Sequence, residues 1–184
     1  MIEEIVKNER EYFKTGVTLS YKFRLNALKK LKEAIIRNEK EIMNALFLDL
    51  GKSATESYMC EVGMVLSELK YAIRHLKKWI KRDRVTTPIA QFPSKSFIVK
   101  EPLGVVLVMS PWNYPFMLAI DPLIGAIGAG NCVVVKPASY AKNTSLVIKK
   151  LLGECFDERY VSVVLGGREE NSALLEQRFD YIFF

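Results

Sequence analysis

Asn113 stands at the centre of Pro111-Trp112-Asn113-Tyr114-Pro115, directly after the apolar run Leu103–Met109. Its carboxamide offers two N–H donors and one acceptor and carries no charge. A group of that type holds a developing oxyanion without titrating. Where a strand of an α/β sheet gives way to a loop, side chains face ligands, and the two prolines stiffen this loop. A second position of the same kind is Lys136, followed by Pro137-Ala138-Ser139, at the end of the apolar run Cys132–Val135. A lysine there donates to ribose hydroxyls or pairs with a phosphate. Ser139 either serves the same ligand or begins a turn. Each motif alone also reads as ordinary turn chemistry; together they mark one edge of a sheet.

Other nucleophile and base types are poorly placed. Cys132 opens a valine strand, Cys155 ends a helix, and Cys60 lies in a helical region. Free buried cysteines serve packing more often than chemistry. His75, the only histidine, falls among lysines on a basic helix face, with no serine or cysteine partner, and reads as a surface residue.

Two kinds of element must position these residues. Residues 1–84 read as helices, with Leu25, Leu28, Leu31 and Ile35 at helical spacing, as are Ile42, Ala45 and Leu46. Gly51 marks a helix end, and Ser53 or Thr55 caps the next helix. Val85–Ser96, with Pro88 and Pro93, reads as an irregular crossing. Beyond it the period changes. Ser96–Glu101 alternates weakly, and Leu103–Met109, Cys132–Val135, Val161–Leu165 and Asp180–Phe184 read as strands. Between them Pro115–Ile120 and Pro122–Ala129 read as two short helices, the second capped by Asp121 and stopped by Gly130. Ser145–Cys155 and Glu169–Arg178 are further helices. The expected fold is therefore α/β: an N-terminal helical layer followed by part of a doubly wound, parallel, Rossmann-like sheet. The expected units are residues 1–95, helical, and 96–184, the nucleotide-fold part. A chain closing on the bare apolar strand Tyr181–Phe184 suggests truncation after a fourth strand, with attendant aggregation or assembly.

Bulk properties agree with a globular protein: 184 residues, 49% hydrophobic and 26% charged. Three cysteines without metal spacing suit a reducing compartment. The acidic start Met1-Ile2-Glu3-Glu4 lacks an apolar signal region, so the cytoplasm is expected. Tyr114–Val135 has the length of a membrane span, but Asp121-Pro122 and three glycines interrupt it, so no transmembrane segment is expected. The net charge of +6 is concentrated in residues 1–100, with 20 Lys/Arg against 12 Asp/Glu. Its densest part, Lys70–Arg84, shares a segment with the apolar stripe Val62, Val65, Leu66, Leu69, Ile73, Leu76 and Ile80. That is a solvated helix face rather than a nucleic-acid surface.

Glu101-Pro102-Leu103-Gly104-Val105-Val106, then Pro111–Pro115, then Gly125–Asn131 leading into Lys136-Pro137, resembles the aldehyde dehydrogenase superfamily. Asp49-Leu50-Gly51-Lys52-Ser53 and Val164–Phe184 are similar to its class-three and fatty-aldehyde branch. The resemblance covers essentially the whole chain. It implies NAD- or NADP-dependent oxidation of an aldehyde, with a cysteine thiolate attacking the carbonyl and a glutamate-activated water releasing the acid. By matching position, Asn113 resembles the oxyanion-hole carboxamide. Met109, Ser110, Pro111 and Trp112 resemble the wall beside the cofactor. Lys136 matches the lysine that holds the adenosine ribose, and Gly166 a glycine near the adenine. A homodimer is implied for a full-length form.

Two departures qualify the resemblance. Ser139 replaces a frequent glutamate whose carboxylate binds both ribose hydroxyls and repels a 2′-phosphate, which makes NADP use more plausible. The glycine-rich cofactor loop, the glutamate base and the cysteine nucleophile have no counterpart in this chain. The chain alone is accordingly expected to be inactive. A thioester-forming relative and a non-catalytic nucleotide-binding remnant remain open alternatives.

Overall fold

The computed structural model describes residues 2–184. The first half is helical: α1 (Ile2–Lys14), α2 (Tyr21–Arg37), α3 (Glu39–Leu50), α4 (Ala54–Ser57) and α5 (Gly63–Trp79). Local chemistry sets several boundaries. The Ser20 hydroxyl accepts the Phe23 N–H at the start of α2, and Ser53 accepts the Glu56 N–H at the start of α4. α3 ends on Gly51 at φ 68°, in the left-handed region where a side chain is unfavourable. A π-helical turn, Tyr58–Val62, joins α4 to α5 and buries Glu61 beside Val62. Along α5, Val65, Leu69, Ala72 and Leu76 are buried while Lys70, Arg74, Lys77 and Lys78 are exposed, the expected solvated face.

The crossing beyond α5 is more regular than its sequence suggests. β1 (Asp83–Val85) pairs antiparallel with β2 (Ser96–Ile98), with a 3₁₀ turn at Ile89–Gln91 between them, so the helical region stops before Asp83. These strands are short and exposed, so periodicity gives only the weak alternation at Ser96–Glu101 for β2 and nothing for β1.

β3 (Val105–Met109), β4 (Cys132–Lys136), β5 (Val161–Val163) and β6 (Tyr181–Phe183) form one parallel sheet in the order β5-β4-β3-β6. The central strands β3 and β4 are buried along their whole length, which explains their unbroken apolar runs. Chain order runs outward from β3 to β5 and then jumps back across β3 to β6. That reversal makes the carboxyl end of β3 a topological switch point, where open α/β sheets bind ligands. α6 (Met117–Ala129) packs on β3 and β4, α7 (Lys142–Cys155) on β5, α2 and α3, and α1 on β3, β4 and α8 (Arg168–Leu175).

α6 corrects one expectation. It is a single helix through Pro122, and Asp121 lies inside it rather than capping a second helix. An interior proline costs about 3 kcal/mol. Ile120, Leu123, Ile124 and Ile127 are all fully buried, and each such side chain contributes about 1.5–3 kcal/mol, so packing outweighs the break. Asp121 is half-buried with one carboxylate oxygen unpartnered, and burial together with nearby Glu68 raises its pKa to about 6.

The amino edge of the sheet is tied to α1. Asp180 Oδ2 accepts the Val105 N–H at 2.8 Å and the Arg10 guanidinium at 2.9 Å. Buried Glu9 accepts the Ser162 hydroxyl at 2.7 Å, and burial holds its carboxyl well above the ordinary range.

Candidate functional site

Two hydrogen-bonded strands deliver the two motifs to one edge. Met109 pairs with Lys136 in register, and the Ser110 N–H donates to the Lys136 carbonyl at 3.1 Å. From there Pro111–Tyr114 leaves the sheet as an exposed loop carrying Trp112 and Asn113. Phe116 then returns to the core, fully buried, and α6 begins.

Lys136 is buried. Its Nζ donates to the Gly166 carbonyl at 2.7 Å and the Pro137 carbonyl at 2.9 Å. Burial lowers its pKa, and the charge of Glu170 partly opposes that. Gly166 adopts φ 135°, and a Cβ there would run into the Glu170 carboxylate. That carboxylate accepts the Gly167 N–H at 2.6 Å at the start of α8. Lys136 and Gly166, far apart in sequence, are thus in direct contact. Ser139 is exposed on the turn after β4, close in sequence but outside that contact.

The donor set fits a ribose. An ammonium has three protons; two are taken by carbonyls, which leaves the third for a hydroxyl oxygen. The Ser110 hydroxyl is buried at the neighbouring strand end with no partner. Among the described residues no carboxylate pairs with Lys136. Trp112, Asp49, Leu50 and Tyr140 line a cleft of about 370 Å³.

Three further residues hold this edge together, and local sequence rules do not disclose them. Asp49 caps α7 from a distance, accepting the backbone N–H groups of Asn143 (3.0 Å) and Thr144 (2.7 Å) and both of their side chains. Burial would raise its carboxyl, but those four bonds overcome it and lower the pKa below the usual 3.8. Lys52 and Glu61 form a buried ion pair at 2.5 Å. The Lys52 Nζ also donates to the Asn113 carbonyl at 3.0 Å and lies 4.2 Å from the centre of the Tyr114 ring. Glu61 Oε2 accepts the Phe116 and Met117 N–H groups at 2.9 and 3.1 Å, supplying the cap that α6 lacks locally. The available signal was the run Asp49-Leu50-Gly51-Lys52-Ser53, in which Asp49, Gly51, Lys52 and Ser53 each have a defined partner or conformation.

The cysteines stay out of this chemistry. Burial pushes the Cys155 thiol up to about 11 and the Cys132 thiol higher still, and Cys60 is half-buried on the π-helical turn. His75 stacks between Tyr71 and Trp79, with Nδ1 at 2.8 Å from the Tyr71 carbonyl. Among the described residues no group of His, Cys, Asp and Glu is arranged to hold a metal, and no helix is long and apolar enough to cross a membrane.

The sequence profile described as the aldehyde dehydrogenase family matches residues 1–184. The chain belongs to that family. It is 45% identical over its whole length to the 4,4'-diaponeurosporen-aldehyde dehydrogenase of Staphylococcus aureus, covering 40% of that protein. It is 46% identical over 99% of its length to aldehyde dehydrogenase family 3 member B3 of Mus musculus, covering 38% of it. The substrate-bound structure of Staphylococcus aureus AldH superposes with a TM-score of 0.97 at 45% identity, over all of this chain and 40% of that one. The chain therefore spans about 40% of the length of these relatives.

Proposed function

We propose that these residues form the oxyanion-donating and ribose-holding part of an NAD(P)-dependent aldehyde dehydrogenase that converts aldehydes to carboxylic acids through a cysteine thiohemiacetal and thioester. The observation that carries this is the meeting of the Asn113 loop and Lys136 at the paired ends of β3 and β4. An Asn113 carboxamide N–H donates to the carbonyl oxygen as negative charge develops there, and being neutral it keeps that ability at every working pH. Lys136 and Gly166 hold and bound the adenosine ribose, with Met109, Ser110, Pro111 and Trp112 beside the cofactor. When bound, NAD or NADP supplies the hydride acceptor. The nucleophilic cysteine and the glutamate base come from outside these residues, so the 184-residue chain alone does not turn over aldehydes.

Residues 1–95 act as the helical support and 96–184 as the cofactor half. Ile89 and Phe92 are almost fully exposed on the β1–β2 arm, which suits a homodimer in the full-length protein. The cytoplasm is the proposed compartment.

The test uses the complete enzyme carrying this segment. Asn113→Ala is expected to lower kcat by about two to three orders of magnitude with little change in KM. A kcat within twofold (roughly, the scatter of such comparisons) of the parent would remove Asn113 from the oxyanion site. Ser139 leaves the ribose side without a carboxylate, so NADP is accepted alongside NAD. Ser139→Glu is expected to shift the ratio of kcat/KM values toward NAD, whereas a parent enzyme already strictly selective for NAD would refute the role of Ser139.

A further inference from the structure

We propose that the buried Lys52–Glu61 pair positions the Asn113 loop, the ammonium aiming the asparagine and the carboxylate fixing the start of α6. This rests on the reading of Asn113 as the oxyanion donor and adds residues to that site. Among the described residues, the one hydrogen bond reaching Pro111–Asn113 comes from Lys52, to the Asn113 carbonyl. Fixing that carbonyl fixes the peptide plane beside the Asn113 Cα, and so the direction in which its side chain leaves the backbone.

The rest of the pair's bonding capacity points at the same segment. Lys52 lies over the Tyr114 ring, and the second oxygen of Glu61 takes the Phe116 and Met117 amides. Glu61 is fully buried and Lys52 is 8% exposed. An ion pair so enclosed gains little stability over apolar residues of similar size. An apolar pair, however, would leave the Asn113 carbonyl and two amides without partners. The π-helical turn at Tyr58–Val62 and the left-handed Gly51 are the local distortions that bring the two charges together.

The test separates positioning from folding in the complete enzyme carrying this segment. Asn113→Ala is run first as a control on the underlying reading: if kcat is unmoved, that reading fails whatever Lys52 does. Lys52→Met with Glu61→Gln then removes both charges, and Lys52→Arg keeps charge for Glu61 but moves the donors. Each variant that melts within a few degrees of the parent is expected to lose about a hundredfold in kcat, the cost of a misplacement of roughly 1 Å. KM for the aldehyde and for the cofactor should stay within about twofold. Amide exchange at Phe116 and Met117 should accelerate in the double variant. If a variant that melts like the parent also keeps the parent kcat, Lys52 serves only to neutralise Glu61 and the proposal is overturned. If both variants melt well below the parent, a parental kcat below their melting temperatures overturns it equally.

Discussion

Two buried lysines flank the carboxyl edge of the sheet, and they are held in opposite ways. Lys52 faces a carboxylate at 2.5 Å, and its pair is bonded into the loop and helix it supports. Among the described residues Lys136 bonds two carbonyls, at 2.7 and 2.9 Å, and no carboxylate. Carbonyl dipoles solvate an ammonium without cancelling its charge. The first lysine is therefore committed to the fold, whereas the second keeps a proton and a net charge available to a ligand. Burial lowers the pKa of Lys136 for that reason. Its folded state disfavours the charged form, so the cost is fully present below the folded pKa and is relieved as pH rises toward 10.5.

Substitutions should expose the difference. Lys52→Met strands a fully buried Glu61 carboxylate, and such breakage costs about 3–5 kcal/mol, measurable by urea unfolding; a loss under about 1 kcal/mol, the scale of an exposed pair, would mean that water already reaches Glu61. Asp49→Ala removes the distant cap of α7 and should cost about 1–2 kcal/mol. Because the folded pKa of Asp49 lies below 3.8, its contribution is present above that value and is lost as pH falls through the folded pKa. The parent should therefore lose stability in that acid range faster than the variant, as read by thermal melting across pH. Lys136→Met breaks two carbonyl contacts but also removes an unpaired buried charge, so stability should change by no more than about 1 kcal/mol while cofactor affinity collapses. A loss like that of Lys52→Met would show the two lysines to be equivalent after all.

What could be read in advance divides along the range of the interactions. The valine-rich runs of β3 and β4, the helix stop at Gly51 and the cap at Ser53 depend on neighbours within a few residues, and all are present. The sequence reads Lys136 at the end of a strand and Asn113 on the loop beyond one, and the structure has them there. The caps of α6 and α7 come from Glu61 and Asp49, separated from their targets by 55 and 94 or more residues. A rule that looks three residues ahead points to Asp121, which lies inside α6, instead. Pro122 likewise signals a break locally, and only the buried face of α6 overrides it. Of the β1–β2 arm only weak alternation over β2 is legible, because both strands are short and mostly exposed.

The bonds from α1 to Asp180 and Ser162 bear on the order of assembly. Glu9 and Arg10 bond to partners that follow 153 and 170 positions later in the chain. α1 is thus among the last elements to find its place, and Val6 and Ile5 have no sheet to lie against until β3 and β4 are formed. Until then that amphipathic segment presents an apolar face with nothing to cover it. A chaperone that shields it until the strands emerge would raise the yield of folded protein without altering the finished molecule.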